Sequence, residues 1–154
     1  MRALNLLTAT PGSVGDAGLL TLRAGVGVVF IAHGYGDVFE AGIGTNVENY
    51  RGAGIPLPVI AAPFAALVQL IGGVLVIIGL LTRLWAAGLI VVMAGALVFV
   101  HWGQPIVLGP DGSGSGFAFV MGVASLALLL TGPGRFSLDA LVTGRTAAGR
   151  QAVG

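Results

Sequence analysis

The chain has 154 residues, 56% of them hydrophobic, and a formal net charge of +1; its mean hydropathy is +0.99. The length indicates a single domain, and the composition excludes an ordinary soluble globular protein. The near-neutral charge gives no indication of nucleic-acid binding, and the absence of cysteine excludes disulfides and cysteine-ligated clusters.

Four apolar segments follow one another along the chain, over about residues 17–36, 59–81, 84–103 and 116–131. The hydrocarbon core of a membrane is about 30 Å thick and needs about 20 helical residues. None of the segments shows the alternation of a membrane β-strand. The sequence therefore predicts an all-α membrane protein, one domain over 1–154, folded as a four-helix transmembrane bundle in the lipid bilayer. Pro11 interrupts the N-terminal apolar stretch before any cleavage site, so the first span is expected to be an uncleaved anchor.

The distribution of arginine predicts the orientation of the bundle. Four spans place both termini on one side, and that side holds six of the seven basic residues: Arg2, Arg23, Arg83, Arg135, Arg145 and Arg150. The opposite side holds Arg51 and four acids: Asp37, Glu40, Glu48 and Asp111. Because basic residues favour the cytoplasmic side, we expect an inner-membrane protein with both termini in the cytoplasm.

Two short helices are predicted outside the spans. Thr45 and Glu48 have the spacing of a capping box, which indicates a helix near Thr45–Arg51 in the outer loop. Ser137 is suited to cap a C-terminal amphipathic helix that ends near Val142, and the tail over about 143–154 is expected to be mobile. Small residues recur at four-residue spacing, which favours close helix packing, either inside the bundle or in a homo-oligomer: Thr21/Gly25, Ala32/Gly36, Ala61/Ala65 and Ala118/Gly122.

Two histidines, His33 and His101, are the leading candidates for a functional site. They fall near the outer ends of the first and third spans, where an ionisable side chain beside hydrocarbon needs a reason. If the first helix continues, Asp37 and Glu40 share a face with His33, and their carboxylates would favour the imidazolium or fix the tautomer. Such a cluster suits proton exchange with a quinone, metal or haem ligation, or simply hydrogen bonding between helix ends. Two histidines without ligand-spaced companions do not define a metal site, so we assign no metal.

Other polar residues near the spans have structural alternatives. Gln69 lies near the middle of the second span, where an amide needs a partner, either a ligand carbonyl or a neighbouring helix. Arg23 is expected to reach the cytoplasmic interface along its own helix, or to pair with Asp16 or Asp139. Arg83 and Arg135 are expected to mark the inner interface.

Several blocks of the sequence resemble the DoxX family of small bacterial membrane proteins. They are LLTLRAGVGVVFIAHG (19–34), GAGIPLP (52–58), QLIGGVLVIIGLLTR (69–83), MAGALVFVH (93–101) and GPGRFSLDALV (132–142). The resemblance implies a four-helix transmembrane bundle. It also implies a role beside quinone-linked oxidoreductases, including thiosulfate:quinone oxidoreductase, or in a membrane complex of oxidative-stress defence with superoxide dismutase and a sulfurtransferase. Quinone and other protein subunits are therefore the implied cofactor and partners.

Three positions depart from the family pattern. Asp37 occupies a stretch that often holds lysine, Gln69 stands where glutamate is common, and the SGSGFAF run (113–119) lacks an acid that is often present. The missing acids weaken a proton path into the membrane. The sequence thus favours a redox-complex subunit that binds a quinone or a partner near its outer face, with His33, His101 and Gln69 as contacts. The alternatives are a non-catalytic scaffold that anchors a partner, and a small transporter or lipid-binding protein.

Overall fold

Six α-helices make up the fold of the computed structural model, which describes residues 12–109 and 113–144. They are α1 (Gly12–Tyr35), α2 (Ile43–Gly52), α3 (Pro58–Ile78), α4 (Thr82–Gly95), α5 (Gly116–Thr131) and α6 (Leu138–Val142). Helices α1 and α4 each continue into a five-residue π-helical turn, Gly36–Glu40 and Ala96–Val100. The predictions for Arg2, Asp111, Arg145, Arg150 and the tail after residue 144 fall outside the described residues.

Three stretches are long and apolar enough to cross a membrane, as the sequence predicts for its first three apolar segments. They cover Val14–Glu40, Pro58–Ile78 and Thr82–Val100, with 27, 21 and 19 residues. Helix α5 is also apolar, but it has 16 residues and a length of about 24 Å. All the regular elements of the described residues are helical, so the all-α prediction is confirmed for this part of the chain.

A tight turn ends α3 earlier than the predicted limit at residue 81. Gly79 has φ +73°, and Leu81, just before α4, has φ +51°. Glycine tolerates the left-handed region, whereas a branched side chain pays a steric cost there. The chain therefore reverses over Gly79–Leu81, and α4 runs back alongside α3.

The four apolar helices pack as a closed ring. Helix α1 packs on α3, α3 on α4, α4 on α5, and α5 returns to α1; the short helix α2 lies against α3. Each helix of the ring contributes fully or nearly fully buried residues to one core, among them Phe30, Val76, Leu89 and Leu128. This arrangement brings the ends of non-consecutive helices together.

Glycines set the distance between α1 and α3. A Cβ atom on Gly27 would lie 2.5 Å from the carbonyl oxygen of Gly73, and one on Gly34 would lie 2.4 Å from the backbone nitrogen of Leu70. Contacts at these distances are possible only without side chains, so the two backbones touch directly. Residue numbers fall along α3 as they rise along α1, and the helices are therefore antiparallel.

The close packing uses other small residues than those at four-residue spacing in α1. Thr21, Gly25 and Ala32 are exposed, and a Cβ atom on Gly25 would meet nothing within 4 Å. The packing of α1 on α3 depends more on the seven-residue separation of Gly27 and Gly34, which keeps both on the face toward α3. Of the two predicted uses of this spacing, packing inside the bundle is therefore contradicted for Thr21 and Gly25, and packing in a homo-oligomer stays a prediction.

Candidate functional site

The two ends of the bundle carry different polar residues. The histidine end, where α1 and α4 finish and α5 begins, holds His33, Asp37 and His101. The arginine end, where α4 begins and α5 finishes, holds Arg23, Arg83, Arg135 and Asp139. Each end contains residues from elements far apart in sequence, so each is a candidate site of its own.

Both histidines sit beside a π-helical turn. The backbone nitrogen of Ala41 donates to the Gly36 carbonyl, and that of His101 donates to the Ala96 carbonyl, both at 2.9 Å and both five residues apart. The hydrogen bond of a π turn joins residues five apart, whereas that of an α-helix joins residues four apart. The residues that follow are therefore rotated about the helix axis relative to a continuous α-helix. Glu40 is accordingly exposed and makes no hydrogen bond or ion pair with a described residue. The joint role of Glu40 with His33 and Asp37 therefore stays a prediction.

Asp37 and Gln69 meet across the α1–α3 interface. The Gln69 side-chain nitrogen donates to the Asp37 carboxylate at 3.2 Å, and Gln69 is buried, with 5% of its surface exposed. Asn46 of α2, also buried, donates to the Asp37 backbone carbonyl at 2.8 Å. The amide that the sequence places near mid-membrane is therefore satisfied by an acid at the end of α1, and α2 is tied to the same point.

Tyr50 completes this cluster from the outer helix. It follows Asn46 by four residues, so both lie on one face of α2. Burial raises the pKa of the Tyr50 phenol, and the nearby negative charge of Asp37 raises it further. Because the unfolded phenol ionises near pH 10, this group stabilises the fold below that pH. Its contribution is lost as the pH rises through the higher pKa of the folded state.

Phenolate absorbance tests this arrangement. The chain has two tyrosines, so a Tyr35→Phe background isolates Tyr50. We expect Tyr50 to titrate above the ordinary value of about 10, and Asp37→Asn to lower its midpoint because the negative charge is removed. A midpoint that Asp37→Asn leaves in place would show that Tyr50 does not face this carboxylate.

His33 presents one ring nitrogen outward. Its Nδ1 lies 2.9 Å from the carbonyl oxygen of Val29, and since a carbonyl only accepts, Nδ1 carries the proton of the neutral ring. The ring stacks on Phe117 of α5, with centroids 5.2 Å apart and planes at 21°. The imidazole is exposed and interacts electrostatically with Asp37. Its Nε2 makes no hydrogen bond to any residue in the described ranges and remains an acceptor.

His101 belongs to a separate network. Its Nδ1 lies 2.9 Å from Gln104 Oε1, and that oxygen also accepts from the Gly114 backbone at 3.0 Å, while Gln104 Nε2 donates to Val100. These partners fix the amide orientation, so His101 donates through Nδ1. His101 thus anchors the loop after α4, whereas His33 faces the cluster on α1. The described residues contain no group of three His, Asp or Glu side chains placed to hold a metal ion.

Arg23 is buried at the other end of the bundle, with 0% of its surface exposed. Its Nη2 donates to the Phe136 carbonyl, and a Cβ atom on Gly79 would collide with Nη1. Nε and Nη1 have no hydrogen-bond partner within the described residues, and Asp139 is the acid that acts on the guanidinium electrostatically. Arg23 therefore does not run along its own helix to solvent, as predicted: its buried guanidinium links α1 to the segment after α5.

Asp139 connects the segment after α5 to the α3–α4 turn through hydrogen bonds. Its carboxylate accepts from the Leu81 backbone at 2.8 Å and from the Thr82 backbone and hydroxyl at 3.1 and 3.3 Å. Ser137 accepts from the Ala140 backbone and caps α6. Arg135 lies 3.8 Å from Asp16 through Nε, and Arg83 donates to the Leu130 carbonyl at 3.3 Å.

Four contact residues were not identified from the sequence: Asn46, Tyr50, Gln104 and Phe117. The predicted helix near Thr45–Arg51 places Asn46 and Tyr50 on one face, and this spacing indicates that the two could contact the same neighbour. Gln104 follows His101 by three residues in a turn, where side chains meet. Nothing in the sequence pairs Phe117 with His33, because that contact depends on how α5 closes the ring.

Comparison with known proteins agrees with the fold. The DoxX family model matches residues 18–102. The "Uncharacterized membrane protein Rv3486" of Mycobacterium tuberculosis is 31% identical, with 87% of this chain and 86% of its own length aligned. The "Putative oxidoreductase CatD" of Bacillus subtilis is 32% identical over 82% and 88%, and the "Inner membrane protein YphA" of Escherichia coli is 30% identical over 79% and 87%. No solved structure gives a significant match. With apolar helices long enough to cross a bilayer and more than half its length matched, this chain is a membrane protein that belongs to the DoxX family.

Proposed function

We propose that this protein is a four-span inner-membrane subunit of a quinone-linked oxidoreductase, with both termini in the cytoplasm and the histidine end at the outer face. The observation that carries the proposal is the exposed His33 ring, whose Nε2 is unengaged among the described residues and which lies in the field of Asp37. The similarity to a protein named "Putative oxidoreductase CatD" supports a redox role.

The residues at the histidine end suit the hydroxyl group of a reduced quinone head group. A bound quinone would supply two-electron, two-proton redox chemistry. His33 Nε2 can accept a proton from a hydroxyl group at the bundle surface, and the Asp37 carboxylate interacts electrostatically with this ring. Gln69 holds the carboxylate in place by donating to it.

The position of Gln69 sets the direction of proton movement. An amide does not titrate, so no group of this cluster titrates deeper in the bundle than His33, in the last turn of α1. Protons would therefore be exchanged at the outer face rather than carried into the bilayer. The excess of arginine at the opposite end supports placing that end in the cytoplasm.

Purification in mild detergent with measurement of bound quinone tests the proposal. We expect the natural protein to retain reduced quinone, whose hydroxyl can donate to His33 Nε2, and His33→Ala or Asp37→Asn to bind it about tenfold more weakly, since each removes a hydrogen-bond acceptor or a charge worth about 1.5 kcal/mol. Glu48→Gln is the matched control, because Glu48 is an exposed acid of the same end that pairs with Arg51. Quinone retention that is absent, or equal in all variants, would refute the proposal.

A scaffold that anchors a partner is the second candidate, and the loop after α4 favours it. Trp102, Ile106, Val107 and Leu108 are 80%, 69%, 78% and 72% exposed. Gln104 and Ser115 hold this loop through hydrogen bonds to its backbone, so its apolar side chains are presented on an ordered surface. Retention of a protein subunit without quinone in the same purification would favour this function over the first.

A further inference from the structure

A groove lined by charged and polar as well as apolar residues opens at the arginine end of the bundle, and we call it the polar groove. It has a volume of about 600 Å³ and lies between the start of α4, the end of α5 and the segment that leads into α6. Its polar lining comes from these three elements, from α1 and from α6, and includes Asp16, Thr82, Arg83, Thr131, Arg135 and Asp139. None of these residues takes part in the proposed quinone site.

The charges around this groove do not balance. Three guanidinium groups, of Arg23, Arg83 and Arg135, stand against the carboxylates of Asp16 and Asp139. Asp139 is engaged by three donors of the α3–α4 turn, and Asp16 is engaged by the backbone and side chain of Arg135. Both acids are therefore occupied, and the site keeps an excess positive charge.

Arg83 provides the free donors. It is exposed, and its one hydrogen bond within the described part of the chain goes from Nη2 to the Leu130 carbonyl. A guanidinium has five N–H groups in a fixed fork, which fits the oxygens of a phosphate. The other N–H groups of Arg83 are thus available to an oxyanion in the groove.

A second, apolar groove adjoins the first. It has a volume of about 460 Å³, and Arg135 lines both grooves. The rest of its lining includes Ile78, Phe136, Leu138 and Leu141. Because the polar groove lies where α4 begins and α5 ends, it sits at the level where a membrane changes from hydrocarbon to headgroups. A charged pocket next to an apolar one at this depth matches the two parts of a phospholipid.

We propose that the arginine end binds an anionic phospholipid, with the phosphate on Arg83 and Arg135 and an acyl chain along the apolar groove. The shared chemistry is that of a phosphate oxyanion, which a soluble phosphate compound could also supply. The adjoining apolar groove is the reason to choose the lipid.

Native mass spectrometry of the detergent-purified protein tests this site. Phosphatidylglycerol and phosphatidylcholine are titrated separately, and inorganic phosphate forms a third arm. We expect phosphatidylglycerol to bind in preference to phosphatidylcholine, and Arg83→Gln to weaken its binding about tenfold. Arg51→Gln should bind as the natural protein does, since Arg51 lies at the other end and is paired with Glu48.

The three titrations distinguish a lipid site from a general phosphate site and from no site. Competition by inorganic phosphate against phosphatidylglycerol would confirm an oxyanion site but overturn the choice of a lipid. Equal binding of both lipids would overturn the preference for an anionic lipid, and equal loss in Arg83→Gln and Arg51→Gln would overturn the site itself. If Arg83→Gln does not yield folded protein, Arg135→Gln carries the same test, because its side chain is exposed and caps no helix.

Discussion

Replacement of Gly34 by alanine is expected to destabilise the bundle by about 2 kcal/mol or more. The new Cβ atom would lie 2.4 Å from the backbone nitrogen and 2.7 Å from the Cα of Leu70. These atoms belong to a helix backbone, so they cannot rotate away as a side chain can. Helices α1 and α3 must separate, and the hydrogen bond between Asp37 and Gln69 lies next to the point of separation. Thermal unfolding in detergent, followed by size-exclusion chromatography, measures the loss.

Gly25→Ala is the matched control for this prediction. It lies on the same helix, and its added Cβ atom would meet nothing within 4 Å. Alanine is favoured over glycine in a helix by about 1 kcal/mol, so this variant should be as stable as the natural protein or more so. Equal unfolding temperatures for Gly34→Ala and Gly25→Ala would contradict the direct backbone contact between α1 and α3.

Asp139→Ala is expected to produce a loss of similar size at the arginine end. The change leaves the Leu81 and Thr82 backbone donors and the Thr82 hydroxyl without their acceptor, and Thr82 is fully buried. Hydrogen bonds to a charged group contribute about 1.5–3 kcal/mol each, and unsatisfied donors add a penalty. The turn also holds Leu81 in the left-handed region, so it depends on external support. We expect destabilisation of about 3 kcal/mol, measured by thermal unfolding.

Two further variants separate the lost hydrogen bonds of Asp139 from the backbone strain at Leu81 as causes of the destabilisation. Glu48→Gln removes a carboxylate from an exposed ion pair with Arg51 and should change stability by less than about 1 kcal/mol. Leu81→Gly removes the steric cost of φ +51°, so it should recover part of the stability lost in Asp139→Ala. If Asp139→Ala is as mild as Glu48→Gln, the carboxylate does not hold the turn.

Much of the fold could be predicted because local sequence determines it. The apolar runs give the membrane-spanning helices, and Ser137 marks the cap of α6. The sequence predicts an end of α3 near residue 81 because Leu80 and Leu81 continue the apolar run, whereas Gly79 already reverses the chain. Apolar residues indicate which segment lies in the membrane, whereas the backbone conformation at a single glycine determines where the helix ends.

The sites were harder to predict, because their contacts cross between helices. The family resemblance and the position of His33 and Asp37 pointed to the histidine end. The bond between Asp37 and Gln69 depends on how far α1 and α3 approach each other, which the glycines decide. The sequence predicts that Arg23 reaches water along its own helix, as arginine near a membrane interface usually does. It is buried instead, since Gly79 leaves room for the guanidinium and the chain after α5 returns to cover it.

Because α1 ends in a π turn, the insertion or deletion of a single residue there can change the surface of the histidine end. Such a turn is equivalent to an α-helix with one inserted residue. Deleting one residue within Gly36–Glu40 would restore α-helical winding and rotate the following chain by about 100° relative to the bundle. The membrane-embedded packing on Gly27 and Gly34 would be unchanged, because it precedes the turn. Insertions and deletions there could therefore give related chains different outer surfaces on the same four-helix frame, without any substitution in the core.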